Sequence, residues 1–515
     1  MDRDTLHPGI WVIGGVGLAV TAGTLVTAPP RLEELDAINF ALALNDYDLS
    51  RYQPHFPGYP VYVALTRAAT WVAPDAPRAL AWPGAIMTAI AGLATWRTLV
   101  GLAGPLSALA GAVVLVLCPR LLVEATKPTS DALGAAWLVV ALASLLGALT
   151  APAESSVQRR ELALAAAALG LLLGIRLSYV PFILSLGLGL AAVRAGPRAL
   201  AMAAAGLGAG LLAWAGPLIW VMGPHSLWHL GSEFLVGHFS RWGGTAWTQP
   251  TGRFELLARS LGPFGLGTLG AGFGGPARVL LTLLILSGLG GLAWELYGHR
   301  HTPSARRCAL LAAALVLPYL AWVLLAQNLT RPRHLLPLAL ILAGLTGVGL
   351  ARLARRLPSR SWRTCMATAL IGTAAVASIL VTWPALRARR ERPSAAFQVV
   401  SLLAPRTSRA LFFGGEAVRL AAYYAPPLRA RRPGDINGVR NELGALMAVG
   451  APLASAVRSG ALEIYLTSDI DGIDTALPAL TRVAELQSDA WVEPHDAHLV
   501  LYRVSDLNRL LGRRG

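Results

Sequence analysis

The sequence predicts an α-helical polytopic membrane protein with about 11 transmembrane helices and a small soluble α/β domain at its C-terminal end. Three observations carry this prediction. The 515 residues are 55% hydrophobic and only 14% charged, with a mean hydropathy of +0.54, a balance foreign to an ordinary soluble domain. Apolar runs recur at the ~20-residue length that crosses a bilayer core as helix. After Thr382 charged residues become common again, and about 130 residues follow without another such run.

The runs fall near residues 9–28, 80–100, 104–118, 131–150, 161–175, 178–193, 199–221, 277–297, 308–326, 334–351 and 364–382. The first lacks a small-residue cleavage site of Ala-x-Ala type and is followed by more spans, so it reads as a retained anchor. Arginines then set the expected orientation, because Lys and Arg near span ends stay on the cytoplasmic side. Arg159 and Arg160, Arg194 and Arg198, Arg300, Arg306 and Arg307, and the group from Arg352 to Arg363 all fall in cytoplasmic connectors if the N-terminus is inside. The opposite connectors, at 29–79, 124–131, 176–178, 222–276 and 328–334, then face outward and hold most polar residues able to do chemistry. The expected location is the plasma membrane, with residues 1–383 forming the transmembrane domain and 384–515 an extracytoplasmic one.

In that tail, Ala410–Gly415, Glu463–Thr467 and His498–Val504 pattern as strands, and Glu416–Tyr424 and Glu442–Val457 as helices. Gly414-Gly415 lacks the third glycine and later acid of a dinucleotide site and reads as a turn. The formal charge of +16 is spread over connectors, which argues against a nucleic-acid partner and for topogenic arginine. Cys118, Cys308 and Cys365 lie in or beside spans without CxxC spacing, so neither a disulfide framework nor a zinc site is indicated.

The chemistry concentrates in the first outward loop, EELDAINFALALNDYDLSRYQPHFPGYP from Glu33 to Pro60. Leu35, Ile38 and Leu42 recur at helical spacing, which lays this piece along the membrane surface with Asp36 and Asn39 one turn apart on its flank. Pro54, Pro57 and Pro60 exclude helix in the following stretch and build a rigid turn that holds His55 and Tyr59. Carboxylates and histidines are costly deep in a bilayer, so their placement here marks a site at headgroup level. The long loop from Gly223 to Gly275 adds His225, His229, Glu233, His238, Arg241, Trp242 and Trp247. Histidines and a carboxylate at i, i+4 and i+8 leave a divalent metal open there, although interfacial aromatics with polar neighbours are ordinary at this depth. No cofactor is otherwise indicated.

Asp36 on a surface helix after the first span, followed by His55-x-Pro57 at the entry to another helix, resembles the first extracytoplasmic loop of GT-C glycosyltransferases. The likeness is greatest to the protein O-mannosyltransferase and aminoarabinose transferase group, glycosyltransferase family 39-like, whose loop carries an Asp and then a His- or Lys-Pro-Pro element. Ser130-Asp131 stands where these families often place a second acid, and Arg333-His334-Leu335-Leu336-Pro337 is similar to their Arg-Tyr-x-x-Pro. Ala37 departs from the Glu many relatives have, and Phe56 replaces the first proline.

The resemblance implies inverting transfer of a sugar from a polyprenyl-phosphate donor to a hydroxyl of a lipid, glycan or protein acceptor on the outer face. Asp36 is then the candidate base and Asp131 the second catalytic acid, with His55, Lys127, Arg331 and Arg333 as donor-phosphate ligands. Asn39, Tyr59, Arg176, His238, Arg241 and Trp242 are candidate substrate contacts. Each has a plainer rival. Asp36 and Asp131 sit near helix starts, where a carboxylate is favoured anyway. Arg331, Arg333 and Lys127 are placed to snorkel, His55 to bond its own turn, and Arg176 to pair with an acid such as Asp131. A multi-span transporter or lipid flippase is the alternative function, but it would set its ionisable groups near the midplane on interrupted helices in two related halves. A non-catalytic assembly protein would need fewer spans.

Overall fold

The computed structural model describes residues 8–249, 252, 253, 255, 270, 274–449, 455–457, 459, 461–491 and 497–512. Its chain divides into two compact units, Met1–Pro30 with Phe40–Leu386, and Arg31–Asn39 with Arg387–Gly515.

All eleven apolar runs form helix. In chain order the helices up to the last run are α1 (Pro8–Thr27), α2 (Leu35–Asn45), α3 (Pro60–Ala69), α4 (Ala76–Ala103), α5 (Pro105–Val116), α6 (Pro119–Ala125), α7 (Ser130–Thr150), α8 (Ser156–Ile175), α9 (Pro181–Ala192), α10 (Pro197–Met222), α11 (Pro224–Gly237), α12 (Pro276–Gly298), α13 (Pro303–Ala326), α14 (Leu336–Ala354) and α15 (Arg360–Glu391). Many open on proline, whose fixed φ suits the first helical turn and whose missing N–H costs nothing there. Pro119 also explains the 49° bend between α5 and α6, since it cannot continue the preceding helix.

Among the described residues, eight helices are long and apolar enough to cross a membrane, and the bent α5–α6 pair makes nine. The expectation of about 11 differs by α8 and α9. The first turns of α8 carry Arg159, Arg160 and Glu161, and α9 has only 12 residues.

The first unit packs through two apolar clusters. One joins Leu138, Leu145, Leu169, Phe182 and Tyr319, and the other Ile13, Trp96, Val113, Ala351 and Ile371. Between α8 and α10 the helices meet through small residues. A Cβ added to Gly206 or Gly210 would strike the backbone carbonyl of Ala163 or Ala167, the close approach by which helices associate where no hydrophobic drive separates them from lipid.

The second unit holds α16 (Ala395–Leu403), α17 (Ala417–Tyr424), α18 (Ile436–Val449) and five strands, β1 (Ala410–Phe413), β2 (Arg429–Arg431), β3 (Glu463–Thr467), β4 (Leu480–Gln487) and β5 (His498–Val504). The sheet order is β2-β1-β3-β5-β4. β1 is parallel to β2 and β3, and β5 runs antiparallel to β3 and β4. Its core is Leu411, Phe413, Val439, Ile464 and Leu466. The three expected strands are present, and α18 begins six residues before the expected helix at Glu442; residues 450–454 lie outside the described residues. Gly414 and Gly415 form the turn after β1, where an added Cβ on Gly415 would strike the Asp469 carboxylate.

Candidate functional site

Three junctions of the first unit come together around Asp131. The helix α7 starts at Ser130, so its first turn presents Asp131, a fully buried carboxylate at 0% exposure. The strand-like Arg176 between α8 and α9 brings its Nη2 to 2.9 Å from Asp131 Oδ1, and its Nη1 donates to Ser130 Oγ at 3.2 Å. Arg333, from the short 3-10 turn Pro332–Leu335 ahead of α14, places Nη1 3.8 Å from Asp131 Oδ2. The pairing of Arg176 with Asp131 anticipated as a rival reading is thus present, and it extends to a second arginine. One carboxylate lies between two guanidinium groups and compensates both, since an unpaired charge is costly to bury.

A second ion-pair group abuts the first. Arg120 and Glu124, one turn apart on α6, are 2.5 Å from each other and both buried. Lys127 is also buried, with Nζ 4.0 Å from the same Glu124 oxygen. Tyr179 lies within electrostatic reach of Arg176, Asp131 and Glu124, and its ring sits 5.9 Å beneath the Arg176 guanidinium. These junctions therefore gather four cationic groups, Arg120, Lys127, Arg176 and Arg333, and two carboxylates. Arg120, Glu124 and Tyr179 were not singled out in the sequence. The available signal was a charged pair at i, i+4 between the apolar runs at 104–118 and 131–150.

The proline turn abuts the same region. Its Gln53–Pro54 and Phe56–Pro57 peptide bonds are cis, and Gly58 takes φ 91°. Tyr47 donates to Gly58 O at 2.9 Å, and a side chain on Gly58 would strike that hydroxyl. His55 Nε2 and the Tyr59 hydroxyl are 3.0 Å apart, and Tyr59 packs edge-on to Phe40. Tyr59 is within electrostatic reach of Arg176, and the buried Tyr62 is within reach of Asp131. Arg331 is half-buried at the start of the 3-10 turn, where its N–H bonds Asn328 O at 3.3 Å.

His238, Arg241 and Trp242 take a different position. They form a π-helical turn, His238–Trp242, after α11. His238 Nε2 donates to Ala326 O at 2.8 Å, while Arg241 and Trp242 are exposed. Phe234 links this turn to the proline turn, stacking on His55 at 6.5 Å and meeting Trp242 at 4.9 Å. Arg253, not anticipated from the sequence, donates to the carbonyls of Leu324, Gly244 and Gln327 at 2.7–2.9 Å. It thereby satisfies carbonyls at the C-terminal end of α13, where a cation also suits the helix dipole. His229 and Glu233 form an exposed 3.6 Å pair, and no group of three His, Cys, Asp or Glu suited to a metal occurs among the described residues.

In the second unit, Asp36 is half-buried in the first turn of α2. Asn39, one turn on, is 1% exposed, and its Oδ1 accepts from Arg419 Nε at 3.0 Å. The helical reading of this loop and the flanking placement of Asp36 and Asn39 agree with the structure, whereas the partner of Asn39 lies 380 residues away and has no local sequence signal.

No family model matches the chain, and no curated protein matches it in sequence. Among solved structures, ArnT from Cupriavidus metallidurans bound to undecaprenyl phosphate aligns with a TM-score of 0.56 at 14% identity, over 98% of this chain and 99% of that one. The apo form of the same protein gives 0.56 at 14%, over 97% and 98%. The Archaeoglobus fulgidus oligosaccharyltransferase aligns at 0.47 and 12%, over 91% and 70%. The chain shares its polytopic helical fold with ArnT along its length, in agreement with the fold class expected from the sequence.

Proposed function

We propose that this chain is a membrane glycosyltransferase that moves a sugar from a polyprenyl-phosphate donor to an acceptor hydroxyl on the outer face of the plasma membrane, with inversion. The observation that carries the reading is Asp131, buried between Arg176 and Arg333, in a fold shared along its length with a protein whose structure holds undecaprenyl phosphate. A lipid-linked phosphate stays at headgroup level, so its enzyme must offer oriented cations there. Guanidinium groups suit it because they bind phosphate oxygens in bidentate fashion.

In this reading Arg176 and Arg333 face the donor phosphate, and Asp131 positions them instead of acting on the sugar. Lys127 adds charge to the same region, and His55 and Tyr59 form its polar wall. The acceptor oxygen attacks the anomeric carbon while the bond from that carbon to the phosphate oxygen breaks. The polyprenyl phosphate leaves with the electron pair, stabilised by the arginines. Asp36 takes the proton from the acceptor hydroxyl. His238, Arg241 and Trp242 serve the acceptor side, where exposed indole and guanidinium groups suit a sugar or a headgroup.

The test is a transfer assay with purified protein and a panel of radiolabelled undecaprenyl-phosphate sugars. Wild type is expected to form a glycosidic bond with at least one of them, and Asp36→Asn to lose turnover by 100-fold or more, on the order of a general base's contribution, with the donor still bound. Equal turnover by Asp36→Asn removes that residue from its role. Movement of intact lipid across the membrane with no bond made replaces the transferase by a flippase.

A further inference from the structure

We infer that the second unit is a cradle for the start of α2, with Arg419 as the positioning residue for Asp36; the inference rests on the reading of Asp36 as the base. A proton acceptor must sit within a few tenths of an ångström of its working geometry, and a helix start in a surface loop has little of its own to hold it there. Within this unit the segment Arg31–Asn39 is held along its length by residues of the C-terminal part.

The Leu32 N–H donates to the Tyr424 hydroxyl at 2.8 Å, and Ser394 Oγ donates to Glu33 O at 3.2 Å. The Glu33 side chain is 1% exposed, with Arg31 at 3.0 Å and Arg389 at 3.9 Å. Arg31 in turn donates to Arg390 O at 3.0 Å and lies 5.9 Å over the Phe397 ring, and Phe397 meets Tyr424 edge-on at 5.1 Å. These contacts fix the approach to the helix. Its rotation is set by Asn39, whose buried Oδ1 accepts a charge-assisted bond from Arg419. Asp36 and Asn39 are three apart, hence neighbours on one helix flank, so whatever fixes Asn39 fixes the direction in which Asp36 points.

Packing of the unit alone would not require this arrangement, because a surface helix that only covers a core presents an apolar residue to it. Here the segment buries Leu32, Ala37 and Ile38 and, beside them, the Asn39 amide and the Glu33 carboxylate, which apolar packing does not call for and which are costly unless matched. Arg419 matches the amide, and the neighbouring Arg31 together with the distant Arg389 matches the carboxylate.

The test uses full-length protein in lipid nanodiscs. Arg419→Ala and Asn39→Ala are compared with wild type and Asp36→Asn for hydrogen–deuterium exchange over residues 31–42. The same proteins are assayed for transfer from whichever radiolabelled undecaprenyl-phosphate sugar the wild type uses. Both variants are expected to speed exchange in that segment on the order of tenfold and to lower kcat by roughly 10- to 100-fold, with the donor KM unchanged. The double variant should fall no further than the weaker single one, and Arg419→Lys should regain part of the rate, since an ammonium still donates to Asn39. Wild-type exchange and wild-type kcat in Arg419→Ala overturn the inference, as do losses that add in the double variant. Failure of the base assignment is separate: full turnover by Asp36→Asn, with exchange still accelerated in Arg419→Ala, removes the base and leaves the cradle.

Discussion

Asp131 carries the charge balance of the buried junctions, and its removal is the most severe single change expected among them. Asp131→Asn keeps the shape but leaves Arg176 and Arg333 facing each other without an anion, so unfolding should become easier by about 3–5 kcal/mol, the usual cost of breaking a buried pair from one side. Replacing Arg176 as well, in Asp131→Asn/Arg176→Met, should return part of that loss, because one buried cation is gone too. Denaturant titration of both variants in detergent checks the order, and an equal loss in the two would show that the pair is not coupled. The sequence made Asp131, Arg176 and Arg333 legible as separate junction residues, since charges at span ends stand out. It did not show that one carboxylate serves both arginines, because Arg176 and Arg333 lie 45 and 202 positions beyond Asp131, separations that exceed any local pattern. Arg120 and Glu124 fell just past the apolar run at 104–118, on the short helix Pro119–Ala125, and Arg419 lay in a tail with no visible link to the first loop.

Helices meet at two levels of precision here, and the α8–α10 pair is the tighter. With Gly206 and Gly210 against the carbonyls of Ala163 and Ala167, a larger side chain strikes backbone, which cannot move aside as a flexible side chain would. Gly210→Val should therefore cost about 1–3 kcal/mol from overpacking, read as a lower apparent Tm and reduced recovery of folded protein, whereas Gly208→Val should be mild because nothing lies within 4 Å of that position. Equal effects at 208 and 210 would contradict the packing. Periodicity and length made every long helix legible, and prolines marked many of their starts. The strands divided by burial. β1 and β3 are buried and were visible as apolar runs, but β2 (RAR) and β4 (LTRVAELQ) are largely exposed edge strands that bury too little apolar surface to leave a pattern.

At the scale of the first unit, charge is sorted by helix end. The Asp131 junctions stand at the start of α14, and Arg352 and Arg355 stand at its far end, where they meet Glu295 at 2.5 Å and Ser107 Oγ at 3.0 Å. A 19-residue helix separates the two ends, or about 28 Å, close to the thickness of a bilayer core. The Asp131 ion pairs and the Arg352–Arg355 group thus stand at opposite ends of α14, the separation that the positive-inside tendency predicts for a spanning helix. In a background without native cysteines, the exposed positions Ser240→Cys and Ser359→Cys should label with a membrane-impermeant reagent from opposite sides of a sealed vesicle, and labelling of both from one side would break the proposed topology. The separation of the two charged groups to opposite ends of α14 was legible from residue placement alone; the contacts among the junction residues were not, since no single segment encodes them.

Binding of the lipid phosphate itself is the most direct check on the proposed role of these arginines. Radiolabelled undecaprenyl phosphate should bind purified wild type saturably, and Arg333→Gln, which leaves Arg176 on Asp131, should weaken it by about 10- to 100-fold, as the loss of one charge-assisted contact does. Undiminished binding by Arg333→Gln in a folded protein, or no saturable binding by wild type, would contradict the placement of a polyprenyl phosphate at this cluster.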